Sequence, residues 1–388
     1  MLKCASVYTH EIDVPEIALA DIKAQLNQKI TLLEHSVGIV MCHPEYIATG
    51  VLKHVCENLP FDLAGITTAS QAVNDEVGEL ILTIFVMTSD DVCFKAGVTD
   101  SIDGEIDAIT KAAYEKAAAH ESGLPKLAIL FPPFPDERHS GDSYVKAWKK
   151  IIPSTPFFGT HAIDDTVSFK ESETIYNGMN KKDAISFVLC YGNINPRFFI
   201  ATLPENSTVS IRAKVTKSHG NFVYEVNNMN AQKFFIDADM HENMLIPIPF
   251  MIDLLKRDDY DGVPVIRGYS SFTEDGTAVF FGDIDEGSTF SLLECTSDNV
   301  LSTSLREIKR INTLSNVNGA LLFPCAVRRM PLLGANKPLS ELQIAKNTIN
   351  PDIPFMMGYA GGEICPTSIK NGVPTNRFHN YSLIILVV

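Results

Sequence analysis

The residue types able to do chemistry gather near the end of this 388-residue sequence. The stretch GYAGGE sets Gly358, Gly361 and Gly362 around Tyr359 and Glu363, just ahead of a terminal apolar run. Glycine inside regular structure normally costs stability. A backbone thinned in this way lets another group approach closely and leaves amides free to donate, so the segment reads as a small-ligand site. Glu363 would accept there from an ammonium or hydroxyl, a charge-assisted bond about twice as strong as a neutral one. The structural alternative is a bulge or tight sheet crossing, with Glu363 holding loop amides or pairing with Arg328.

Upstream, PCAVRR puts Cys325 three residues before Arg328. A guanidinium beside a thiol favours the thiolate, the route to a reactive cysteine. It also suits bidentate capture of a ligand carboxylate, and an arginine following a core strand needs an anionic partner. Cys325 is equally readable as a ligand-contacting or haem-contacting thiol, or as simple packing. In FHNYS, His379 and Asn380 stand at the start of the last strand, where alternation sends their side chains to opposite faces. His161 in HAIDD and His43 in MCHPEY occupy turns with no metal-ligand spacing, and a surface turn is the plainer reading of HAIDD.

The elements that must position these groups form a pattern met three times. A short buried strand (GIVMC, LAILF, ALLFPC) is followed by a helical stretch (ATGVLKHVCENL, DSYVKAWKKII, LSELQIAKNTI). A Pro-Phe pair, a glycine (Gly65, Gly159, Gly358) and a closing apolar strand (LILTIFVM, AISFVLCY, YSLIILVV) complete each copy. From Val263, apolar runs broken by Asp275-Gly276 and Glu286-Gly287 read as an antiparallel meander. The expected fold is α/β in the broad α+β sense: two domains of mixed, largely antiparallel sheets covered by helices, built from a repeated strand-helix-strand-strand unit. Pro204 and a polar cluster set the boundary, giving domains 1–205 and 206–388.

Composition bounds the partners. A net charge of −15 repels phosphate backbones and anionic lipid, which argues against nucleic acid and membrane. MLKCASVYTHEIDVPEIALADI lacks a signal-peptide core and the longest apolar runs fall far short of a bilayer span, so a cytoplasmic protein is expected. The eight cysteines form no CxxC pair and read as reduced packing thiols. GxxxxGK[ST], GxGxxG, HExxH and GxSxG are all absent, and Trp148 in YVKAWKK reads as a core-edge residue.

Six stretches together resemble the FIST signal-transduction proteins: NGALLFPCAVRR, IPFMMGYAGGEICP, NRFHNYSLIILVV, FVYEVNNMNAQKFF, PFFGTHAIDD and AISFVLCYG. They span nearly the whole chain, and only Gly361 stands in a slot that more often holds a polar residue. The resemblance implies a two-domain sensory module that binds small ligands such as amino acids and is coupled in bacteria to kinases or cyclic-dinucleotide enzymes. Some similar proteins are haem-containing nitric oxide sensors. No kinase, receiver or membrane segment accompanies these domains here, so output is expected through a separate partner such as a histidine kinase.

The resulting expectation is a ligand-binding sensor with a site of Cys325, Arg328, Tyr359, Gly361, Gly362, Glu363, His379 and Asn380. Arg328 and the glycine amides would hold a carboxylate and Glu363 a cationic or hydroxyl end, a pairing that suits an amino acid. Two readings from other classes stand beside it. One is an enzyme with Cys325 as nucleophile and His379 as base; the other is a haem sensor with His161 as its iron ligand.

Overall fold

Each of the three short apolar strands lies inside a six-stranded sheet. The structure is a computed structural model that describes residues 1–166, 169, 171–204, 207–238, 251–254, 263–293 and 295–388. The strands His35–Cys42, Leu127–Phe131 and Ala320–Pro324 are buried on both faces over their apolar residues, which is why they read as unbroken apolar runs. Each pairs in parallel with a second strand, Asp62–Thr67, Phe157–Thr160 or Phe355–Gly358. Parallel neighbours need a crossover, and the helical stretches supply it as Val51–Glu57, Gly141–Ile151 and Ser340–Thr348. Each central strand also pairs antiparallel with its closing strand, Leu82–Ser89, Ser186–Gly192 or Leu383–Val387.

The repeat is larger than its sequence signature. A leading strand, Lys3–Thr9, Val92–Val98 or Arg197–Ala201, pairs antiparallel with the closing strand of the same copy. Between second and closing strands each copy sends out a hairpin, and the hairpins are exchanged in a ring. The hairpin of copy one, Gln71–Val73 with Val77–Gly78, joins the sheet of copy three. That of copy two, Thr174–Tyr176 with Met179–Lys181, joins copy one. That of copy three, Glu363–Lys370 with Val373–His379, joins copy two. The three copies thus make one pseudo-threefold body, and Met41, Phe131, Phe158, Phe323, Met356 and Ile384 meet in its shared core.

The exchange repeats down to single backbone bonds. Thr67 N donates to Glu173 O at 2.9 Å, His161 N to Gly362 O at 3.1 Å and Tyr359 N to Ser70 O at 3.2 Å. Register corrects one expected equivalence. Gly65 faces Val40 and Gly159 faces Leu130, and a Cβ on either would lie 1.7 or 1.9 Å from that residue's carbonyl oxygen. Met357 holds this slot in copy three, opposite Leu322, whereas Gly358 lies one residue further on, under the Met41 side chain. The same register aligns His161 with Tyr359, and His43 with Cys325, not with His161.

The meander belongs to a closed ring inserted into copy three. Strands Thr208–His219, Thr289–Leu293, Met251–Leu254, Ile266–Phe272, Ala278–Phe280 and Phe222–Val226 pair in that order, and the last returns to the first. Val215, Val223, Phe235, Phe280 and Phe290 pack inside this barrel. Gly276 and Gly287 adopt φ of 80° and 85°, as Asp-Gly and Glu-Gly turns require. The chain passes from Arg197–Ala201 into the barrel at the proposed 205 boundary, where Glu205 and Asn206 lie outside the described residues. No described helix is long and apolar enough to cross a membrane.

Candidate functional site

The GYAGGE segment is the passage by which copy three leaves its own sheet for that of copy two. Ala360 N donates to Pro324 O at 2.9 Å and Gly361 N to His161 O at 2.8 Å, so the amides are used in the crossing. Its thin backbone accommodates the protein's own side chains. A Cβ on Gly361 would meet Phe134 and Ile163 at 2.7 and 2.8 Å, and one on Gly362, at φ +113°, would meet Phe378 at 2.7 Å. Tyr359 is fully buried.

Arg328 is equally buried, and its donors are committed. Nε donates to Glu341 Oε1 at 2.9 Å, Nη1 to Tyr381 O at 3.0 Å, and Nη2 to Ser304 Oγ at 2.7 Å and Val300 O at 3.1 Å. Tyr359 Oη donates to the other Glu341 oxygen at 2.9 Å. The anionic partner that the sequence demanded for Arg328 is therefore Glu341, not Glu363 or a ligand. Nothing in SELQ distinguishes Glu341 from an ordinary acid in a helix's first turn. Tyr381, buried at φ +60°, is held in a conformation costly for an aromatic residue, and Arg328 grips its carbonyl.

Glu363 sits opposite Thr160 in the exchanged pairing and is 0% exposed. Its Oε2 accepts from Ser382 Oγ at 2.7 Å and Ser382 N at 3.3 Å. Its Oε1 has no hydrogen-bond partner. Burial raises the carboxyl to about 8, against the opposing pull of Ser382, the nearby Cys325 thiol and the Arg328 charge. Glu363 is thus a neutral acid at pH 7. Cys325 caps the helix Ala326–Gly334, a position that would ordinarily favour the thiolate. Burial and the Glu363 carboxyl instead hold the thiol well above its usual range, outweighing the Tyr381 and Val327 amides.

His379 Nε2 lies 3.1 Å from Cys365 O, and Asn380 Oδ1 accepts from Gly268 N of the barrel at 3.1 Å. The structure therefore brings Cys325, Glu363 and the unforeseen Ser382 together. Arg328 and Tyr359 belong to the Glu341 network, and Asn380 to the barrel contact. A register alignment of YSLIILVV with LILTIFVM would have flagged Ser382, which takes the place of Ile81.

His161 is buried in the core, not on a surface turn. Its Nδ1 is 2.7 Å from Pro133 O and, as the donor, leaves Nε2 bare and without a partner. Burial lowers its pKa to about 4, opposed by the Pro133 bond, so the ring is neutral. Such a nitrogen suits a metal, but the Tyr144 and Phe378 rings pack at centroid distances of 5.1 and 5.3 Å. The donor fits an iron, whereas the packing around it does not fit a porphyrin. Among the described residues no three His, Cys, Asp or Glu side chains form a metal site. All eight thiols are free and only Cys93 is partly exposed. His43 pairs at 3.4 Å with Asp165, and Asp164 closes its own loop through Thr166 and Glu171 amides.

The whole is a three-copy α+β body with an inserted barrel, and at one exchange point it buries an acid bonded on one oxygen only. The FIST N domain matches residues 36–229 and the FIST C domain residues 235–366, and the chain belongs to the FIST family. FIST domains are associated with signal transduction and small-ligand sensing. No curated protein matches the chain.

Proposed function

We propose that this chain is a cytosolic small-ligand sensor whose recognition group is Glu363. One observation carries the reading: Glu363 Oε1 is fully buried without a partner. Buried polar atoms in native proteins are nearly always hydrogen-bonded, and an orphan calls for an absent water or ligand. The ligand is a small polar molecule that brings to this oxygen a hydroxyl, or an ammonium whose charge ionises the carboxyl on binding. An amino acid meets that requirement at its ammonium end; its carboxylate needs a partner other than Arg328, whose donors are spent.

The barrel closes over this node through Gly268 N on Asn380 and Arg267 Nη1 on Phe378 O at 3.1 Å. Ligand capture shifts the barrel against the pseudo-threefold body, a change read by a separate kinase or cyclic-dinucleotide enzyme. Only differential affinity for the two arrangements can drive it. The test is a thermal-shift screen over amino acids and dicarboxylates with wild type and Glu363→Gln. A ligand at about 100 times its dissociation constant adds roughly 2.7 kcal/mol. An amino-acid shift that persists unchanged in folded Glu363→Gln removes Glu363 from recognition, and haem titration followed in the visible decides the haem alternative separately.

A further inference from the structure

At the exchange point between copies one and three, Tyr359 lies beside Ser70, since Tyr359 N donates to Ser70 O at 3.2 Å. Ser70 in turn stands opposite Glu79, because Gln71 pairs with Gly78 in the antiparallel hairpin. Three residues therefore form a row across the sheet, with cross-strand neighbours about 5 Å apart at Cβ. Arg329 reaches the Glu79 end of this row. Its helix starts from the Tyr359–Ala360 backbone, with Ala326 N donating to Ala360 O at 2.7 Å, and its Nη2 bonds the Glu79 carboxylate.

Two donors at this place are idle. Ser70 Oγ is on a residue 0% exposed and has no partner, and Arg329 Nε is likewise buried and unpartnered. Glu79 takes one tooth of the guanidinium fork and leaves the other empty. The Glu79 side chain is 53% exposed, whereas that of Arg329 is 15% exposed, so the acid can swing away while the arginine stays. We propose that Arg329 and Ser70 form a carboxylate-binding site distinct from Glu363, in which Glu79 stands in for the ligand until it arrives. A ligand carboxylate bridges Nε and Nη2 in the bidentate geometry natural to arginine and accepts the Ser70 hydroxyl. Arg328, one residue earlier, is excluded by its saturated partners.

The proposal is tested with succinate and, in a parallel arm, inorganic phosphate, each titrated into the full chain at constant ionic strength against sodium chloride. Succinate is expected to raise the unfolding midpoint above the chloride control. Glu79→Gln, at a side chain 53% exposed, removes the competitor and tightens succinate binding about tenfold. Ser70→Ala weakens it about fivefold, the loss of one hydrogen bond. Arg329→Gln abolishes it, and Glu363→Gln leaves it intact, which separates this site from the one proposed above. No succinate effect in either wild type or Glu79→Gln overturns the proposal. So does an effect that survives in Arg329→Gln, or one that disappears in Glu363→Gln. A response to phosphate alone overturns the carboxylate assignment.

Discussion

Copies one and three place a polar residue at the same point of exchange and finish it differently. In copy one it is Gln71, whose Nε2 donates to Ile81 O at 3.0 Å and whose Oε1 accepts from Thr83 Oγ1 at 2.9 Å. In copy three it is Glu363, bonded on one oxygen by Ser382 and bare on the other. Copy two has Thr174, bonded to Lys181 O at 3.1 Å. The register makes these three positions equivalent, so the polar residue belongs to the architecture, whereas the unsatisfied oxygen is peculiar to copy three. The same comparison removes Arg328 from the candidate site. Its counterpart Tyr46 reaches Leu80 O at 3.5 Å, as Arg328 reaches Tyr381 O, each bracing the backbone ahead of its closing strand.

The harshest break of that comparison is Arg328→Met. It leaves Glu341 buried without its cation, a lesion that typically costs about 3–5 kcal/mol. Urea unfolding should show a loss of this size. A stable variant with only a binding defect would restore Arg328 to the site.

Next in size are the glycines. Gly159→Ala drives a methyl into the Leu130 carbonyl, a backbone atom that cannot step aside, and should cost about 3 kcal/mol or more. Gly358→Ala meets only the flexible end of Met41 at 2.8 Å and should cost about 1 kcal/mol. Equal losses would mean that copy three shares the glycine slot after all.

These two glycines also mark how far the sequence could be read. Pro-Phe pairs, crossover helices and closing strands are local patterns, so the threefold repeat and the Asp-Gly turn of the barrel were visible in it. The hairpin exchange was not. QAV and TIY are three-residue strands, too short for periodicity to register, and their partners lie in another copy. Gly358 looked equivalent to Gly65 because composition gives order without register. Glu363, the group proposed for recognition, was singled out because it stands among glycines. Glu341, which decides the role of Arg328, reaches it only through the packing of three helices in copy three.

A pH-dependent effect sharpens the contrast between Glu363 and Gln71. The Glu363 carboxyl titrates near 8 in the native state and near 4.5 in the unfolded chain. Between these values the unfolded chain has lost its proton while the native state retains it, so rising pH favours unfolding by up to about 1.4 kcal/mol per unit. Above 8 both states are ionised and the contribution stops changing. Glu363→Gln, which gives copy three the residue type of copy one, removes this slope. Its stability should therefore gain on wild type from pH 5 to 8 and then hold level in denaturant titrations at a series of pH values. Parallel curves would mean that Glu363 is ionised in the native state and already has a partner.

The mildest test addresses Ser382, the residue that replaces Ile81. Ser382→Ala deletes the hydroxyl bonded to Glu363 Oε2 but keeps the weaker amide bond, at a cost of about 1 kcal/mol. Because that hydroxyl favours the ionised carboxylate, its loss should also push the Glu363 titration higher and extend the falling limb of the stability curve toward alkaline pH. In the double variant with Glu363→Gln the alkaline extension vanishes, since no titrating group remains. A Ser382→Ala curve displaced equally at every pH, with the break still near 8, would show that Ser382 packs the closing strand without governing the acid. The two copies would then differ at Glu363 alone.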